Sequence, residues 1–134
     1  MVLLLEGTTD TARAVLAESI MRDHPEWRHL AIEELVDTSP LFALLEDDTQ
    51  REVLLVTVAC QCAQELREEG LHTILSYSSA PHLLEFMREA LGEEFVAIHL
   101  GPGYEEEYAL LFDHAFDTTA HSTRMIRSAI GKII

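Results

Sequence analysis

The opening stretch MVLLLEGTTDTARAVLAESI, residues 1–20, carries the pattern that decides the fold. It begins with four consecutive apolar residues, Val2 to Leu5, and continues through Glu6-Gly7 into a segment with apolar residues at helical spacing. An unbroken apolar run of this length is typical of a strand buried on both faces. A glycine directly after it favours a turn, and the helical spacing predicts a helix that ends before Pro25.

The rest of the chain continues this alternation of strands and helices. Apolar runs predict further strands at residues 30–32, 72–77, 95–100 and 114–116, and helical spacing predicts helices at residues 41–45, 49–69, 79–92, 105–111 and 121–130. A capping box, Thr49-x-x-Glu52, marks the start of the longest helix. Glycines stand where three helices are expected to end, at Gly70, Gly92 and Gly131.

Strands that are separated by helices predict a parallel sheet with helices on both faces. We therefore expect one domain over residues 1–134, a three-layer α/β/α fold with a parallel five-stranded sheet. Ligands of such sheets bind beyond the carboxyl ends of the strands. This rule brings four segments to one rim, at residues 6–13, 33–37, 77–82 and 100–104.

The charge of the chain argues against several classes of partner. The 134 residues include 24 acids and 9 bases, a formal net charge of −15. Nucleic acids and anionic lipids are bound through basic surfaces, so we expect neither a nucleic-acid nor a membrane partner. No run approaches the roughly 18 apolar residues that indicate a membrane span, and the first residues lack the basic flank of a signal peptide. The expectation is a cytoplasmic protein.

Metal binding has no support in the spacing of the usual ligands. Cys60 and Cys62 are two positions apart, and side chains at that spacing point to nearly opposite sides of a helix. The seven histidines contain no H-x3-H pair and no H-E-x-x-H motif. We therefore expect buried free thiols and no metal site.

Three segments resemble one known family, the P-loop small-molecule kinases, and in particular the adenylylsulfate kinase and nucleotide kinase group. Residues 3–20, LLLEGTTDTARAVLAESI, are similar to its first strand, phosphate loop and first helix. Residues 64–100, QELREEGLHTILSYSSAPHLLEFMREALGEEFVAIHL, are similar to a run of helix, strand, Ser/Pro turn, helix and strand. Residues 112–131, FDHAFDTTAHSTRMIRSAIG, resemble its closing stretch. The resemblance implies a P-loop fold and, for an active member, ATP with Mg²⁺ as cofactor.

The resemblance places the phosphate-binding positions after the first strand, at Gly7, Thr8, Thr9, Thr11, Ala12 and Arg13. The family motif G-x-x-x-x-G-K-[ST] ends in Gly, Lys and a hydroxyl, whereas this chain has Ala12, Arg13 and Ala14. Arg spreads its charge over a planar fork, and Ala14 has no oxygen for Mg²⁺. Asp10 would repel a triphosphate by about 1–4 kcal/mol per charge pair at about 4 Å. We therefore expect the shape of an anion cradle without tight ATP binding.

A second departure from the family concerns its lid. These kinases insert an arginine-bearing segment after the fourth strand, which closes over the phosphates. Residues 101–113 of this chain contain no Arg or Lys and include the acidic run Glu105-Glu106-Glu107. The comparison with the family therefore predicts that the lid is absent.

Glu33 and Glu34 are the candidate catalytic residues. They follow the second expected strand, near the position at which the family carries an acidic residue that contacts the acceptor substrate. A carboxylate there could act as a general base or hold Mg²⁺ through water. The alternative interpretation is a solvated, acidic start to a loop.

Three hypotheses on function follow. In the first, the chain is a pseudokinase that binds a protein partner, a small anion or nucleotide, or a second copy through residues 41–45 or 130–134. In the second, it is a divergent ATP-dependent small-molecule or nucleotide kinase in which Arg13 carries the phosphate charge. In the third, a plain α/β domain has a turn that resembles a phosphate loop by chance. The joint loss of Gly, Lys, hydroxyl and lid favours the first, in which the chain is not an enzyme.

Overall fold

The computed structural model describes residues 1–78, 81–102 and 110–134, which form a five-stranded parallel sheet with helices on both faces. The strands are β1 (Val2–Gly7), β2 (Trp27–Ala31), β3 (His72–Tyr77), β4 (Phe95–Gly101) and β5 (His114–Asp117). Their order across the sheet is β2-β3-β1-β4-β5, and every neighbouring pair is parallel. The expected three-layer α/β/α fold is confirmed.

Two groups of helices cover the sheet. The α-helices are α1 (Asp10–Asp23), α2 (Leu41–Leu44), α3 (Asp48–Glu68), α4 (Leu84–Leu91) and α5 (Thr123–Ile133). Short 3-10 helices occupy Ile32–Thr38, Pro81–Leu83 and Gly92–Glu94. One core cluster joins α1 and α5, and the other joins α2, α3 and α4. None of the helices in the described ranges combines the length and the hydropathy that crossing a bilayer requires.

Strand β1 lies at the centre of the sheet, as its unbroken apolar run predicts. All of its residues are buried, and it pairs with β3 on one side and with β4 on the other. Leu3 and Leu5 enter the core with α1 and α5, whereas Val2 and Leu4 enter the opposite core. Each buried Leu contributes about 1.5–3 kcal/mol relative to an exposed one, which favours this central place. The carboxyl end of β1 therefore lies in the middle of the rim.

Several element boundaries differ from the sequence-based expectation. Strand β2 spans Trp27–Ala31, whereas residues 30–32 were expected. It ends at Ala31 because Ile32 begins a 3-10 helix, in which it is buried. A short apolar run does not distinguish these two conformations. Helix α5 passes through Gly131 and ends at Ile133, so Gly131 is not a helix end. Glycine inside a helix costs only about 1 kcal/mol, and the buried Ile130 beside it outweighs this cost.

Two of the expected helices fall partly outside the described residues. The helix expected at residues 79–92 begins in the structure with the 3-10 turn Pro81–Leu83 and continues as α4, while residues 79–80 lie outside the described ranges. Of the helix expected at residues 105–111, residues 105–109 lie outside them as well. Leu110 and Leu111 form a turn.

Asp47, rather than Thr49, caps helix α3. The Asp47 carboxylate accepts hydrogen bonds from the N–H groups of Thr49 at 2.8 Å and of Gln50 at 3.3 Å, so the helix begins at Asp48. The expected capping box was wrong because an earlier side chain satisfies these N–H groups.

We expect Asp47→Ala to lower the free energy of unfolding by about 1 kcal/mol, because the N-cap carboxylate is lost. Thr49→Ala is the matched control and should change it by no more than about 0.5 kcal/mol. Urea unfolding of both variants measures the two values. A larger loss for Thr49→Ala than for Asp47→Ala would contradict this assignment of the cap.

Candidate functional site

The turn between β1 and α1 consists of two residues, Thr8 and Thr9. The Thr9 hydroxyl caps α1 by accepting a hydrogen bond from the N–H of Ala12 at 3.1 Å. Gly7 and Thr8 both adopt left-handed backbone angles, with φ of +93° and +48°. For a β-branched residue such as Thr8 this angle is an outlier. The chain thus turns sharply, and the N-terminus of α1 begins close to the end of the central strand.

Arg13 folds inward beneath this turn and is only 2% exposed. Its Nη1 donates hydrogen bonds to the carbonyl oxygens of Gly7 at 2.7 Å and of Thr8 at 3.3 Å. Its Nη2 donates to a carboxylate oxygen of Asp10 and to Glu33 Oε2, the latter at 3.2 Å. The guanidinium is therefore bound by carbonyl groups and carboxylates of the chain itself.

Glu33, at the start of the 3-10 helix Ile32–Thr38, links three strand ends. One carboxylate oxygen accepts from Arg13 Nη2, and Oε1 accepts a hydrogen bond from the N–H of Ser78 at 3.1 Å. These contacts join the segments that follow β1, β2 and β3. Burial raises the pKa of the Glu33 carboxyl above its ordinary value, and the charge of Arg13 opposes this shift.

A cleft of about 90 Å³ lies beside the Arg13 guanidinium. Its walls are formed by Asp10, Arg13, Ala14, His29, Ala31, Glu33, Glu34 and Ser76. Pockets for drug-sized ligands commonly measure about 300–1,000 Å³, so this cleft has room for a few water molecules or a small ion.

His29 and Ser76, which no sequence pattern singled out, both line the cleft. His29 Nε2 lies 2.8 Å from Ser76 Oγ. The pairing of β2 with β3 sets Ala31 opposite Ser76, and His29 is two positions from Ala31, on the same face. The two residues are 47 positions apart in the chain, so only the register of the strands could have revealed the pair.

Stability should depend on pH through His29. Burial lowers the pKa of His29 from its ordinary value of 6.5, although Glu34 and Glu18 oppose the shift. In the unfolded chain His29 has its ordinary pKa of 6.5, and in the folded chain its pKa is lower. At a pH between the two, the unfolded chain binds a proton that the folded chain does not bind, so stability should fall as the pH drops below 6.5. The replacement His29→Gln should weaken this loss. Urea midpoints of wild type and variant at about pH 7.5 and about pH 5.5 measure it. Equal pH dependence in both proteins would argue against the assignment.

A second, partly buried pair joins β1 to β4 at the same rim. Glu6 lies opposite His99 in the register, and Glu6 Oε2 is 2.5 Å from His99 Nδ1. The His99 ring packs against Phe112, with ring centroids 5.2 Å apart. No sequence motif had indicated a role for Glu6 or His99. Within the described ranges, no group of three His, Cys, Asp or Glu side chains is arranged to hold a metal ion.

The sequence-predicted site residues are thus only partly brought together. Four of them share the hydrogen bonds of one guanidinium: Gly7, Thr8, Arg13 and Glu33. Thr9 and Ala12 are joined by the helix cap. Thr11 and Glu34 are exposed, and Glu34 lines the cleft. Their roles in phosphate binding and in catalysis stay predictions.

The sheet order and the covering helices define a three-layer α/β/α protein with the P-loop fold. The hexameric APS kinase from Thiobacillus denitrificans shares this fold with a TM-score of 0.66 and 16% identity, over 98% of this chain and 28% of that one. A proposed kinase from Chloroflexus aurantiacus j-10-fl has a TM-score of 0.60 and 10% identity, over 98% and 94%. A gluconokinase from Sinorhizobium meliloti 1021 has a TM-score of 0.53 and 11% identity, over 96% and 72%.

These identities are low enough that the likeness concerns the fold alone. The chain also spans little more than a quarter of the length of the APS kinase, 28%. No protein-family model matches the sequence, and no curated protein matches it either. Activity and partners therefore have to be argued from the site.

Proposed function

We propose that this chain is a kinase-like P-loop protein that does not transfer phosphoryl groups and acts instead as a binding or regulatory protein. The observation that carries the proposal is the position of Arg13. The cation that a phosphate loop would direct at its ligand is here bound by the carbonyl oxygens of Gly7 and Thr8 and by the carboxylates of Asp10 and Glu33. Two negative charges already balance it, so little attraction is left for a phosphate.

The residues around the turn do not fit Mg²⁺–ATP. The P-loop motif has four residues between its glycines, and their N–H groups surround the phosphates. Four residues also separate Gly7 from Ala12, but α1 already begins at Asp10, so only Thr8 and Thr9 form the turn. Ala14 has no hydroxyl for Mg²⁺, and the cleft beside Arg13 is much smaller than a nucleotide pocket. The bound-cation arrangement and the short turn support loss of function more strongly than either would alone.

Calorimetric titration with Mg²⁺–ATP and Mg²⁺–GTP tests the proposal. We expect no saturable binding at nucleotide concentrations up to about 1 mM, which corresponds to less than about 4 kcal/mol of binding free energy. Arg13→Ala is the matched variant and should behave as the wild type does. Micromolar binding that Arg13→Ala abolishes, together with phosphoryl transfer to any acceptor, would end the proposal.

A divergent kinase is the second candidate, and Glu33 is the observation that favours it. A carboxylate with a raised pKa beside a cation is what a general base needs. In this case, incubation with Mg²⁺ and γ-labelled ATP should transfer label to a small hydroxyl-bearing acceptor. Glu33→Gln should then abolish transfer, while Glu34→Gln, at the neighbouring exposed position, should retain it.

Self-association through α2 belongs to the same proposal. Leu44 is 75% exposed on this short helix, and Leu41 beside it is exposed as well. The other segment expected to form an interface, residues 130–134, includes Ile130, which is fully buried in the core and so cannot contribute. Light scattering at high protein concentration should show a dimer that Leu44→Glu disrupts. A strict monomer would remove this part of the proposal.

A further inference from the structure

The charge of the chain is divided unevenly along its length. Residues 118–134 contain Arg124, Arg127 and Lys132 and no acid, a net charge of +3. Residues 1–117 contain all 24 acids and six bases, a net charge of −18. The last segment therefore carries a charge of opposite sign to the rest of this acidic protein, and charges act over about 8 Å at physiological salt.

This basic segment borders an apolar groove at one edge of the sheet. Strand β5 is an outermost strand, and within the described ranges it pairs with β4 alone. Between β5 and α5 lies a shallow groove of about 500 Å³, lined by His114, Phe116, Met125, Ser128, Ala129, Lys132 and Ile133. A hollow of about 180 Å³ continues it past Phe116 and Met125. Met125 is 57% exposed although it is apolar.

Of the three bases, Lys132 lines the groove, and Arg124 is exposed earlier on the same helix. Arg127 donates hydrogen bonds to Ser19 at 3.1 Å and to Asp23 at 2.9 Å, and so is held against α1. Arg124 and Lys132 are exposed on α5, and in the described part of the chain neither forms an ion pair. The groove thus offers three features side by side: apolar walls, exposed cations and the outer edge of a strand.

We propose that the groove between β5 and α5 binds an extended acidic segment of another protein. Alternate apolar side chains of the segment would enter the groove, and its carboxylates would face Lys132 and Arg124. The backbone of the segment would pair with the outer edge of β5, because an edge strand presents N–H and C=O groups to an added strand. The surface shares no residue with the turn after β1, so the proposal stands independently of that turn.

Charge complementarity also favours an acidic segment of another protein over a second copy of this chain as the molecule bound in the groove. In a two-fold dimer the same surface meets itself, so both copies would bring Lys132 and Arg124 to one interface. Like charges facing each other disfavour that arrangement. An acidic segment of a different protein meets no such repulsion.

Fluorescence anisotropy with two labelled peptides of eight residues tests the proposal. One peptide alternates Glu with Val, and the other alternates Lys with Val. We expect the acidic peptide to bind and the basic one not to bind, with an affinity that falls as salt is added. Lys132→Glu should weaken binding at least about tenfold. The matched control Arg28→Glu makes the same charge change on β2, at the opposite edge of the sheet, and should have at most about a twofold effect.

A second measurement distinguishes binding in the groove from general attraction between opposite charges. Ala129→Phe fills the groove without changing the charge, and it should also weaken the binding of the acidic peptide. Urea unfolding verifies that this variant folds. Amide NMR shifts of residues 114–117 should change when the peptide is added. Binding of both peptides alike, equal effects of Lys132→Glu and Arg28→Glu, or self-association that Ala129→Phe abolishes would overturn the proposal. So would the absence of binding.

Discussion

Arg13→Ala should lower the free energy of unfolding by about 2–3 kcal/mol without changing how the protein responds to phosphate or to Mg²⁺–ATP. The buried guanidinium donates to two backbone carbonyl groups and pairs with Asp10 and Glu33. Without it, the carbonyl of Gly7 loses its donor in a buried place that water reaches poorly. The expected loss lies below the roughly 3–5 kcal/mol of a fully buried pair, because the Asp10 and Glu33 side chains are 85% and 36% exposed.

Two variants separate the parts of this effect. Arg13→Met keeps most of the aliphatic stem and removes the charge, so it should recover any share of the stability that comes from packing. Arg22→Ala removes an exposed arginine from the same helix and should change stability by no more than about 0.5 kcal/mol. Urea unfolding gives the free energies, and calorimetry with phosphate and Mg²⁺–ATP gives the anion response. If Arg13→Ala left stability unchanged and removed an affinity for anions, the assignment of Arg13 to a structural rather than an anion-binding role would be wrong.

Gly7→Ala should be the most damaging single substitution in the turn, with a loss of more than about 3 kcal/mol. A Cβ atom at this position would lie 2.2 Å from the carbonyl oxygen of Leu100 on the neighbouring strand. The φ of +93° is also a conformation that residues with a Cβ rarely adopt. Relief would require β1 and β4 to separate at the rim, where Glu6 and His99 also join them.

The chain supplies controls for the backbone part of this loss. Gly70 and Gly92 have φ of +82° and +77°, and an added Cβ at either would meet nothing within 4 Å. Gly70→Ala should therefore cost only about 1–2 kcal/mol, and Gly92→Ala up to about 3 kcal/mol because its ψ of −156° lies in a region that is essentially reserved for glycine. Thermal and urea unfolding compare the three variants. A loss for Gly7→Ala no greater than that for Gly70→Ala would show that β4 accommodates the methyl group.

Most of the fold could be predicted from local pattern. The apolar run of β1 indicated a strand buried on both faces, and the alternation with helical segments indicated the parallel sheet. The errors lie at boundaries where two local signals compete. Ile32 is equally compatible with a strand and with a 3-10 turn, and Thr49 resembles a cap although Asp47 precedes it. At α3 the Asp47 carboxylate decides the boundary, because it accepts hydrogen bonds from the N–H groups of Thr49 and Gln50.

The sequence by itself determined that Arg13 and Ala14 stand where the motif that this stretch resembles would have a lysine and a hydroxyl, because residue identity needs no structure. Only the tertiary structure decided where the Arg13 guanidinium points. Its partner Glu33 is 20 positions away and reaches it because β2 ends beside β1 and β3 at one rim. The pairing of His29 with Ser76 has the same origin. The orientation of a polar side chain is set by the charges and carbonyl oxygens that surround it in space. Strand order determines which residues these are, independently of their distance along the chain.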